Sequence, residues 1–372
     1  MFDVHVVGGG PVGCICAREL ARKGMNVLVS EEHSRVGFPV QCSGLISVEG
    51  LESLGIDYSR AVLNRIVGAR IYSPGMNEMT VGDGKVRACV IDRPALDRML
   101  AEKAEADGAR IALEDRVTRS ALNGRFVVGA DGASSSVASW FGFPPITEFA
   151  ICMQADYVDA QIADPSRIEV FLSNTRFPGF FGWVIPTGKD SARVGLGAYA
   201  RLGMERVPPV KALFEAFISS RRVRDALDGA REEGRLAGII PMKTRKETVR
   251  GNVLLAGDAA GQVKATTGGG IVFGAAAARI AAECIAAGRA KEYEARWRAA
   301  LWEDLELHQK LRRFFNSLPD ERMESLFAAA KLLRLESFLN RFGDMDKPSK
   351  MVEQLKKDDY APLYVVYSML IK

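Results

Sequence analysis

DVHVVGGGPVG, at residues 3–13, is the stretch of sequence that decides the fold. Its β-branched first half predicts a short buried strand, and its glycines predict a tight turn into a helix. Gly8 permits the turn, Gly10 lets the backbone approach a pyrophosphate, and Gly13 lets the helix pack closely on the sheet. Free N–H groups at the start of the helix then bind the anion. The stretch therefore predicts a phosphate-binding turn for a dinucleotide.

The residues that follow this turn strengthen the prediction. Gly24 ends the helix, and Met25–Ser30 predicts a second strand that ends at Glu31. A carboxylate in this position is the usual partner of the ribose hydroxyls of a dinucleotide. Glu31 is preferred to Glu32 because it stands at the end of the strand. A glycine turn that arose by chance would seldom carry both strands and this acid.

Size and composition indicate a two-lobed protein that binds neither nucleic acid nor metal. The 372 residues, 48% of them hydrophobic, exceed the size at which a single core stops growing. A net charge of +4 without a run of basic residues argues against a nucleic-acid partner. The six cysteines have no C-x-x-C or paired spacing, which excludes an obvious zinc or iron–sulfur site and suits a reducing compartment.

The sequence also predicts a cytoplasmic location. A cleaved signal peptide would remove the strand that begins at residue 3. The stretch Gly268–Ala287 is rich in alanine and glycine, but it carries Arg279 and Glu283 and is not expected to span a membrane.

Two later turns have related chemistry. Arg125–Ala130 predicts a buried strand that ends at Asp131-Gly132, and Gly251–Ala256 predicts another that ends at Gly257-Asp258. Ligands gather at the carboxyl ends of parallel strands, so a carboxylate at Asp258 is expected to bind a polyol hydroxyl. Asp131 has an alternative role, because an Asx turn that caps the following helix would use the same residues.

A run of three glycines, Gly268 to Gly270, precedes Ile271 at the head of an alanine-rich helix. Bare N–H groups and the helix dipole would there stabilise a ring that becomes anionic, as a reduced flavin does. The separated glycine turns therefore predict one extended cofactor that is held by a discontinuous domain.

Three residues outside these turns are candidates for contact with the cofactor. Cys42 and Gly44 lie in a loop rich in glycine and proline, where backbone can approach a ligand. A buried small hydrophobe is an equally good interpretation of Cys42. Arg93 stands where a strand leads into a helix, and its residue type alone favours a surface salt bridge over a cofactor phosphate.

The segment Ile151–Tyr199 predicts strands joined by hairpin turns, and it is crowded with aromatic residues. These residues form either the core of a sheet, which is their usual role, or the wall of an apolar substrate pocket in a second lobe. Ile66–Val81 also alternates as strands do, and Gly82–Gly84 predicts a hairpin turn after it.

The chain resembles the p-hydroxybenzoate hydroxylase-like flavoproteins, whose FAD-binding fingerprints match Gly8, Gly10, Gly13, Glu31, Ala130–Gly132 and Gly257-Asp258. Within that group it resembles the geranylgeranyl reductase family, through Pro39–Gly44, Gly257–Lys264 and Thr267–Ile271. The likeness covers roughly residues 1–290.

The resemblance implies an α/β fold with three parts. These are an FAD-binding Rossmann-like domain of the glutathione reductase type, an inserted and mainly antiparallel β-sheet substrate domain, and a C-terminal helical region. The expected bounds are 1–65, 86–145 and 246–290 for the FAD-binding domain, 66–85 and 146–245 for the substrate domain, and 291–372 for the C-terminal region. Ordinary amphipathic packing of the last region is favoured over wrapping an isoprenoid tunnel or lying on a membrane.

The resemblance also implies roles for individual residues. Asp258 would meet the ribityl chain of FAD, Arg93 and Asp131 would lie near its phosphates or ribityl chain, and Cys42 would face the isoalloxazine as the catalytic residue. This replaces the surface interpretation of Arg93. The full set of expected cofactor-binding residues is Gly8, Gly10, Pro11, Val12, Gly13, Glu31, Cys42, Gly44, Arg93, Asp131, Gly132, Gly257, Asp258, Gly268, Gly269, Gly270 and Ile271.

The family's aromatic motif, Tyr-x-Trp-x-Phe-Pro, falls on Phe181, Trp183 and Pro186, which are the expected substrate-pocket residues. Trp183 and Pro186 match the motif, whereas Phe181 and Ile185 depart from it. Both departures keep the pocket apolar.

The implied activity is FAD-dependent reduction of isoprenoid double bonds, in the geranylgeranyl groups of a lipid precursor, by hydride from flavin N5 plus a proton. A dry apolar tunnel must hold the isolated alkene and keep water away from it. Two alternatives are a flavin monooxygenase of the same superfamily and a non-catalytic prenyl-binding protein. The electron donor, NAD(P)H, ferredoxin or another carrier, leaves no motif in the sequence. A lipid substrate also suggests peripheral contact with the inner face of the membrane.

Overall fold

The computed structural model describes residues 1–357 and 360–370, so the predicted C-terminal region lies outside the described residues only at 358–359 and 371–372. The strands are β1 (Phe2–Val7), β2 (Val27–Ser30), β3 (Leu45–Ser47), β4 (Val62–Ile66), β5 (Gly68–Tyr72), β6 (Glu78–Val81), β7 (Ala88–Ile91), β8 (Arg110–Ala112), β9 (Gly124–Gly129), β10 (Glu148–Val158), β11 (Arg167–Phe171), β12 (Gly182–Pro186), β13 (Ser191–Arg201), β14 (Arg231–Pro241), β15 (Val249–Arg250) and β16 (Val253–Leu255). The helices are α1 (Pro11–Ala21), α2 (Val48–Glu52), α3 (Arg93–Ala106), α4 (Ser136–Trp140), α5 (Val210–Ile218), α6 (Arg221–Ala226), α7 (Ile271–Ala286), α8 (Tyr293–Ser317), α9 (Asp320–Leu332), α10 (Leu335–Phe342), α11 (Pro348–Leu355) and α12 (Ala361–Leu370).

The first sheet has the strand order β15-β16-β9-β1-β2-β8, and every pair in it is parallel except β15 with β16. Its central strand is buried along Val4, Val6 and Val7, as a strand covered on both faces must be. The predicted succession of strand, glycine turn, helix and second strand is confirmed. Because β1, β9 and β16 run parallel, the turns that follow them meet at one edge of the sheet.

Helices α1 and α7 pack on this sheet and come close to each other because the residues where they cross are small. Ile15 and Leu20 of α1 share a core with Val4 and Val6 of the sheet. The alanine-rich helix α7 comes so close to α1 that a Cβ on Gly274 would lie 2.5 Å from Val12 Cγ2. Small residues at this crossing therefore bring the amino ends of α1 and α7 together.

The second sheet is inserted between segments of the first and has the order β14-β10-β13-β12-β11-β5-β6. All its pairs are antiparallel except β11 with β5, which matches the predicted mainly antiparallel sheet. Along β11 the residues alternate between two environments. Phe171 packs into an aromatic core beneath α5, whereas Ile168 and Val170 line a large cavity.

A small third sheet, β3-β7-β4, contradicts the hairpin turn predicted at Gly82–Gly84. The hairpin of this part of the chain joins β5 to β6 through residues 73–77, and β7 pairs with β3 and β4 instead of β6. The glycines lead the chain from one sheet to another. The prediction was wrong because turn chemistry does not determine which strand becomes the partner.

The C-terminal region is helical, as predicted. Tyr293, Trp297 and Leu305 of α8 are fully buried against the first sheet's core. Among the described residues, no helix combines the length and the apolar composition needed to cross a membrane.

The strands of the first sheet fall within 1–65, 86–145 and 246–290, and those of the second within 66–85 and 146–245. The boundary at residue 65 cuts β4 one residue before its end. The domain bounds themselves stay a prediction.

Candidate active site

A cavity of ≈ 990 Å³ extends from the glycine turns of the first sheet to the apolar face of the second. It is bounded by the loop at residues 37–43 and by parts of the C-terminal helices. The predicted site residues that line it are Gly8, Gly10, Pro11, Val12, Glu31, Cys42, Arg93, Asp131, Gly132, Phe181, Trp183, Asp258, Gly268, Gly269, Gly270 and Ile271. The chain thus brings together residues that lie far apart in the sequence.

Four predicted residues do not line the cavity and serve packing instead. A Cβ on Gly13 would lie 1.9 Å from the Gly8 carbonyl oxygen, and one on Gly44 would lie 2.4 Å from the Ile91 carbonyl oxygen. A Cβ on Gly257 would contact Val12 at 3.0 Å. Pro186 ends β12, and its carbonyl accepts a hydrogen bond from Asn64 at 2.9 Å. The expectation that Pro186 lines the substrate pocket is wrong, because the strand alternation turns it away from the cavity.

The first glycine turn leads into a helix start that can receive a ligand. Gly8 has φ +104°, and a Cβ there would lie 2.4 Å from the Ala130 carbonyl oxygen. Gly10 precedes α1, whose start has no side-chain cap among the described residues, and a Cβ on Gly10 would meet none of their atoms within 4 Å. The uncapped helix start carries N–H donors that favour an anion.

Glu31 is held next to this turn. Its Oε2 accepts a hydrogen bond from the Gly9 N–H at 2.8 Å, and its Oε1 accepts one from the His33 N–H at 3.0 Å. Glu31 is 12% exposed, whereas Glu32 is 53% exposed and lies 3.5 Å from Arg116. The choice of Glu31 over Glu32 therefore agrees with its position at the turn, although both residues line the cavity.

Arg93 lies inside, not on the surface that its residue type alone suggested. Its guanidinium donates two hydrogen bonds to Asp97, at 3.1 and 2.9 Å, and it is only 13% exposed. Burial disfavours the charged form, but Asp97 and Cys42 outweigh this effect and raise the pKa of Arg93. Cys42 is half-buried, and its Sγ accepts a hydrogen bond from the Gly44 N–H at 3.3 Å. Both residues line the cavity.

The two turn carboxylates have different surroundings. Asp131 accepts hydrogen bonds from Ser135 Oγ at 2.6 Å and from the Val137 N–H at 3.0 Å, so it caps the start of α4, as the alternative interpretation predicted. Asp258 has no hydrogen-bond donor to its carboxylate among residues 1–357 and 360–370. Burial raises the pKa of Asp258 to about 6. Asp258 is therefore the turn carboxylate that is free to bind a ligand hydroxyl.

Each of the three consecutive glycines lies close to a different side chain. A Cβ on Gly268, which has φ +80°, would lie 2.7 Å from Ile240. One on Gly269 would lie 2.7 Å from Lys264 Cε, and one on Gly270 would lie 2.5 Å from Asp258 Oδ1. Gly268 is needed for its positive φ, and a Cβ on Gly269 or Gly270 would require Lys264 or Asp258 to move.

Aromatic rings form one wall of the cavity. Phe180 and Phe181 stack with ring centroids 4.3 Å apart, and Trp183 meets Phe181 edge-on at 5.7 Å. The Trp183 ring N–H is satisfied by Gln154 Oε1 at 3.1 Å. The other apolar side chains around this part of the cavity include Leu45, Ile71, Ile168, Val170, Leu172, Ile185, Leu236, Ile240, Phe315, Met323 and Met345. The aromatic segment therefore has both predicted roles, because one face of the second sheet forms a core and the other face forms the wall of an apolar pocket.

The comparisons with known proteins agree with this geometry. Residues 1–292 match the family model described as an FAD binding domain. A digeranylgeranylglycerophospholipid reductase of Methanosarcina acetivorans is 31% identical over 91% of this chain and 90% of its own. The chain belongs to the geranylgeranyl reductase family of FAD-dependent oxidoreductases. The predicted family and cofactor are confirmed.

Other members and fold neighbours extend over nearly the whole chain. An uncharacterised protein of Methanocaldococcus jannaschii is 29% identical over 96% of each chain. The crystal structure of a geranylgeranyl bacteriochlorophyll reductase-like protein from Thermoplasma acidophilum has a TM-score of 0.83 at 20% identity, and the match covers 100% of this chain and 99% of that one. The predicted α/β fold class is likewise confirmed.

The residues present in this reductase fit FAD. The open space beside Gly10 and the start of α1 suit a phosphate. The Asp258 carboxylate, which has no hydrogen-bond donor in the described parts of the chain, suits a ligand hydroxyl. An uncapped second helix, α7, begins at the same cavity. A dinucleotide with a ribityl chain carries both kinds of group.

Sequence reasoning missed a buried polar cluster at the cavity wall. Lys264 Nζ lies 2.5 Å from Asp346 Oδ1, and both residues are almost fully buried. Ser47 donates a hydrogen bond to the same carboxylate. The neighbouring His308 bonds to Thr266 at 2.6 Å through Nδ1, and burial together with Lys264 lowers its pKa to about 4. No short motif joins Lys264 to Asp346, because the pair forms only when the C-terminal region folds back onto the cavity.

Phe315, Met323 and Met345 were also missed as cavity residues. The sequence left open whether the C-terminal region packs on the body or wraps the tunnel. It does both, since α8 buries Leu305 in the core while Phe315 lines the cavity.

Proposed function

We propose that the protein reduces the double bonds of geranylgeranyl chains in a lipid precursor, with FAD as the cofactor. One observation carries the proposal: the apolar wall of Phe181 and Trp183 and the glycine turns belong to the same cavity. An isoprenoid chain has no polar groups to bind, so affinity must come from burial of its surface. The reductase named in Methanosarcina acetivorans supports the same substrate class.

In the proposed complex, the glycine turns hold FAD. Gly10 and the start of α1 would bind the phosphates, Glu31 a ribose, and Asp258 the ribityl chain. Arg93 and Asp131 would lie beside the phosphates or the ribityl chain. When bound, FAD supplies the hydride that no side chain can provide.

The apolar part of the cavity has two roles in this proposal. It holds the alkene in a fixed position, which removes much of the entropic cost of the reaction. It also keeps water away from a carbon that develops positive charge when the alkene is protonated. The stacked rings of Phe180 and Phe181 suit both roles because they are rigid and carry no polar group.

We infer that Cys42 is the catalytic residue nearest to the reacting double bond. Its Sγ accepts a hydrogen bond from the Gly44 N–H, which leaves its own S–H available as a donor. The proton that completes the reduction would come from this thiol or from a water beside it. Arg93 would keep the loop that carries Cys42 in place.

We propose in addition that the protein meets its lipid at the inner face of the membrane. Leu202, Val207 and Leu332 are large apolar side chains that are 59%, 61% and 84% exposed. The proposal is supported by Leu202 and Val207, which lie in one loop after β13, and by a lipid substrate that dissolves in the membrane.

The proposal is tested by anaerobic turnover. The purified protein should have the yellow absorption spectrum of a flavin. After reduction by dithionite, it should add two hydrogens to each reduced double bond of a geranylgeranyl lipid, as measured by mass spectrometry. An unchanged substrate mass would contradict the proposal. Consumption of oxygen and NAD(P)H with an aromatic substrate would favour the monooxygenase, and a colourless protein that binds prenyl lipid would favour the non-catalytic alternative.

A matched pair of glycine variants tests the phosphate site. Gly10→Ala should leave the apoprotein folded, within about 1 kcal/mol, since the new Cβ meets no protein atom and φ is −69°. It should nevertheless weaken FAD binding by more than about tenfold, because the methyl group occupies space needed by the phosphates. Gly234→Ala, which also meets no atom within 4 Å, is the control and should bind FAD normally. Flavin fluorescence titration of both apoproteins measures the difference. Normal FAD affinity in Gly10→Ala would show that this turn does not bind the cofactor.

A further inference from the structure

A second cavity of ≈ 550 Å³ lies beside the first, and Arg312 is the residue that lines both. It opens between the ends of β10 and β13 and the C-terminal helix α8. The residues around it are Glu148, Pro178, Gly179, Tyr199, Met204, Pro208, Met242, Lys243, Gln309, Arg312, Arg313, Asn316 and Ser317. Its wall therefore combines cationic and apolar side chains.

The charges around this smaller cavity do not balance. Lys243 lies 3.1 Å from Glu148, so the carboxylate of the lining is already paired. Arg312 and Arg313 have no carboxylate within ion-pair distance in the described parts of the chain. Among the described residues, neither arginine of the cavity lining has a counter-ion, and Arg313 is exposed to solvent.

Arg312 is the more unusual of the two because it is only 8% exposed. Its guanidinium donates hydrogen bonds to the carbonyl oxygens of Ala265, at 3.0 Å, and of Thr266. It also lies 4.7 Å from the centre of the Phe180 ring. Burial lowers the pKa of Arg312 to about 10, so it is still charged at neutral pH. A buried cation with only neutral partners is costly, and an anionic ligand would offset that cost.

We propose that the smaller cavity binds the phosphate of a lipid headgroup while the isoprenoid chain of the same molecule lies in the larger cavity. An amphiphile that lies across Arg312 would have its anionic end next to Arg313 and its chain next to Phe180. Arginine binds phosphate oxygens through paired N–H donors. The apolar side chains of Met204 and Met242 suit an alkyl phosphate better than free phosphate. This inference rests on the proposed function, since it names the substrate's headgroup.

Calorimetric titration of the FAD-loaded protein tests the inference without turnover. Geranylgeranyl phosphate and geranylgeraniol are compared at one detergent concentration. The phosphate should bind about tenfold more tightly. Arg313→Gln should remove most of this preference while changing the affinity for the alcohol less than about twofold. Arg221→Gln is the control, because Arg221 is 91% exposed on α6 and should affect neither ligand.

Three results would overturn the inference. They are equal affinity for the phosphate and the alcohol, a preference that survives in Arg313→Gln, and full displacement of the lipid phosphate by an equal concentration of inorganic phosphate. The last result would identify a site for free anions instead of a headgroup. Failure of the proposed function looks different: the phosphate preference would be present, but neither ligand would gain hydrogen when the flavin is reduced.

Discussion

At the scale of single residues, Asp258 is the side chain that most clearly lowers the stability of the apoprotein. Its side chain is partly buried at the end of a strand, its carboxylate has no hydrogen-bond donor in the described chain, and burial raises its pKa to about 6. A carboxyl whose pKa is raised on folding stabilises the protein in its protonated form. The stability is therefore present at low pH and is lost as the pH rises through about 6.

Asp258→Asn should separate stability from cofactor binding. At pH 8 the apoprotein of the variant should be more stable by about 1–3 kcal/mol, because no buried charge remains. At pH 4, close to the pKa of the unfolded carboxyl, the difference should be much smaller. FAD affinity should fall about tenfold with the loss of a charged acceptor. Urea unfolding of the apoprotein at both pH values and flavin fluorescence measure these effects.

Asp190→Asn provides the control for that experiment, because Asp190 is exposed in the turn between β12 and β13. It should change neither the pH dependence nor FAD affinity. If Asp258→Asn destabilises the apoprotein at pH 8, its carboxylate has a partner within the protein and the assignment to the ribityl chain loses its support.

At the scale of elements, the segment between α10 and α11 fixes the C-terminal region to the cofactor turn. Asp346 lies in that segment and pairs with Lys264, which follows the Gly257-Asp258 turn. Burial alone would raise the pKa of Asp346, but Lys264 and the Ser47 hydroxyl hold that pKa below its usual value. One ion pair thus links the part of the chain that binds FAD to the part that closes the apolar cavity.

Asp346→Asn should destabilise the protein by about 3–5 kcal/mol, because Lys264 is left buried without a counter-ion. The contribution of Asp346 is present above the pKa of the unfolded carboxyl, about 3.9, and is lost as the pH falls through its lower folded value. The variant and the parent should therefore converge in stability at strongly acidic pH. Urea unfolding at pH 7 and at pH 3 measures this.

The control for Asp346→Asn is Asp225→Asn, in which the replaced side chain is 60% exposed on α6. Its unfolding free energy should differ from that of the parent by less than about 0.5 kcal/mol. A similarly small effect for Asp346→Asn would mean that the C-terminal region is held by its apolar contacts alone.

At the scale of the whole molecule, residues from all three parts of the chain surround one cavity. Gly10 comes from the first glycine turn, Trp183 from the second sheet and Phe315 from a C-terminal helix. A ligand that binds only the folded arrangement stabilises every part that contacts it. FAD is therefore expected to protect segments that are distant in sequence.

Hydrogen exchange of the apoprotein and the FAD-loaded protein should reveal this protection. Peptides that cover residues 8–14, 31–44 and 256–272 should exchange more slowly when FAD is bound. The edge strand β6 lies outside the cavity lining and should exchange equally in both states. Protection confined to residues 8–14 would contradict the convergence of the separated turns on one cofactor.

The sequence by itself determined the local units that bind the cofactor. The first strand, the turn and helix α1 follow from β-branched residues and closely spaced glycines, whose backbone preferences act over a few residues. The same reasoning identified Glu31, Asp131 and Asp258 as carboxylates at strand ends. It failed at Gly82–Gly84, where the choice of partner strand depends on contacts remote in sequence.

Only the tertiary structure decided which residues share the cavity. It turned Pro186 away from the pocket, paired Lys264 with Asp346, and brought Phe315 and Arg312 to the cavity wall. These outcomes depend on strand alternation and on how the C-terminal helices pack, and neither leaves a short-range signal. A glycine-rich turn can be predicted from the sequence because its residues are consecutive, whereas a cavity is formed by residues from the whole chain.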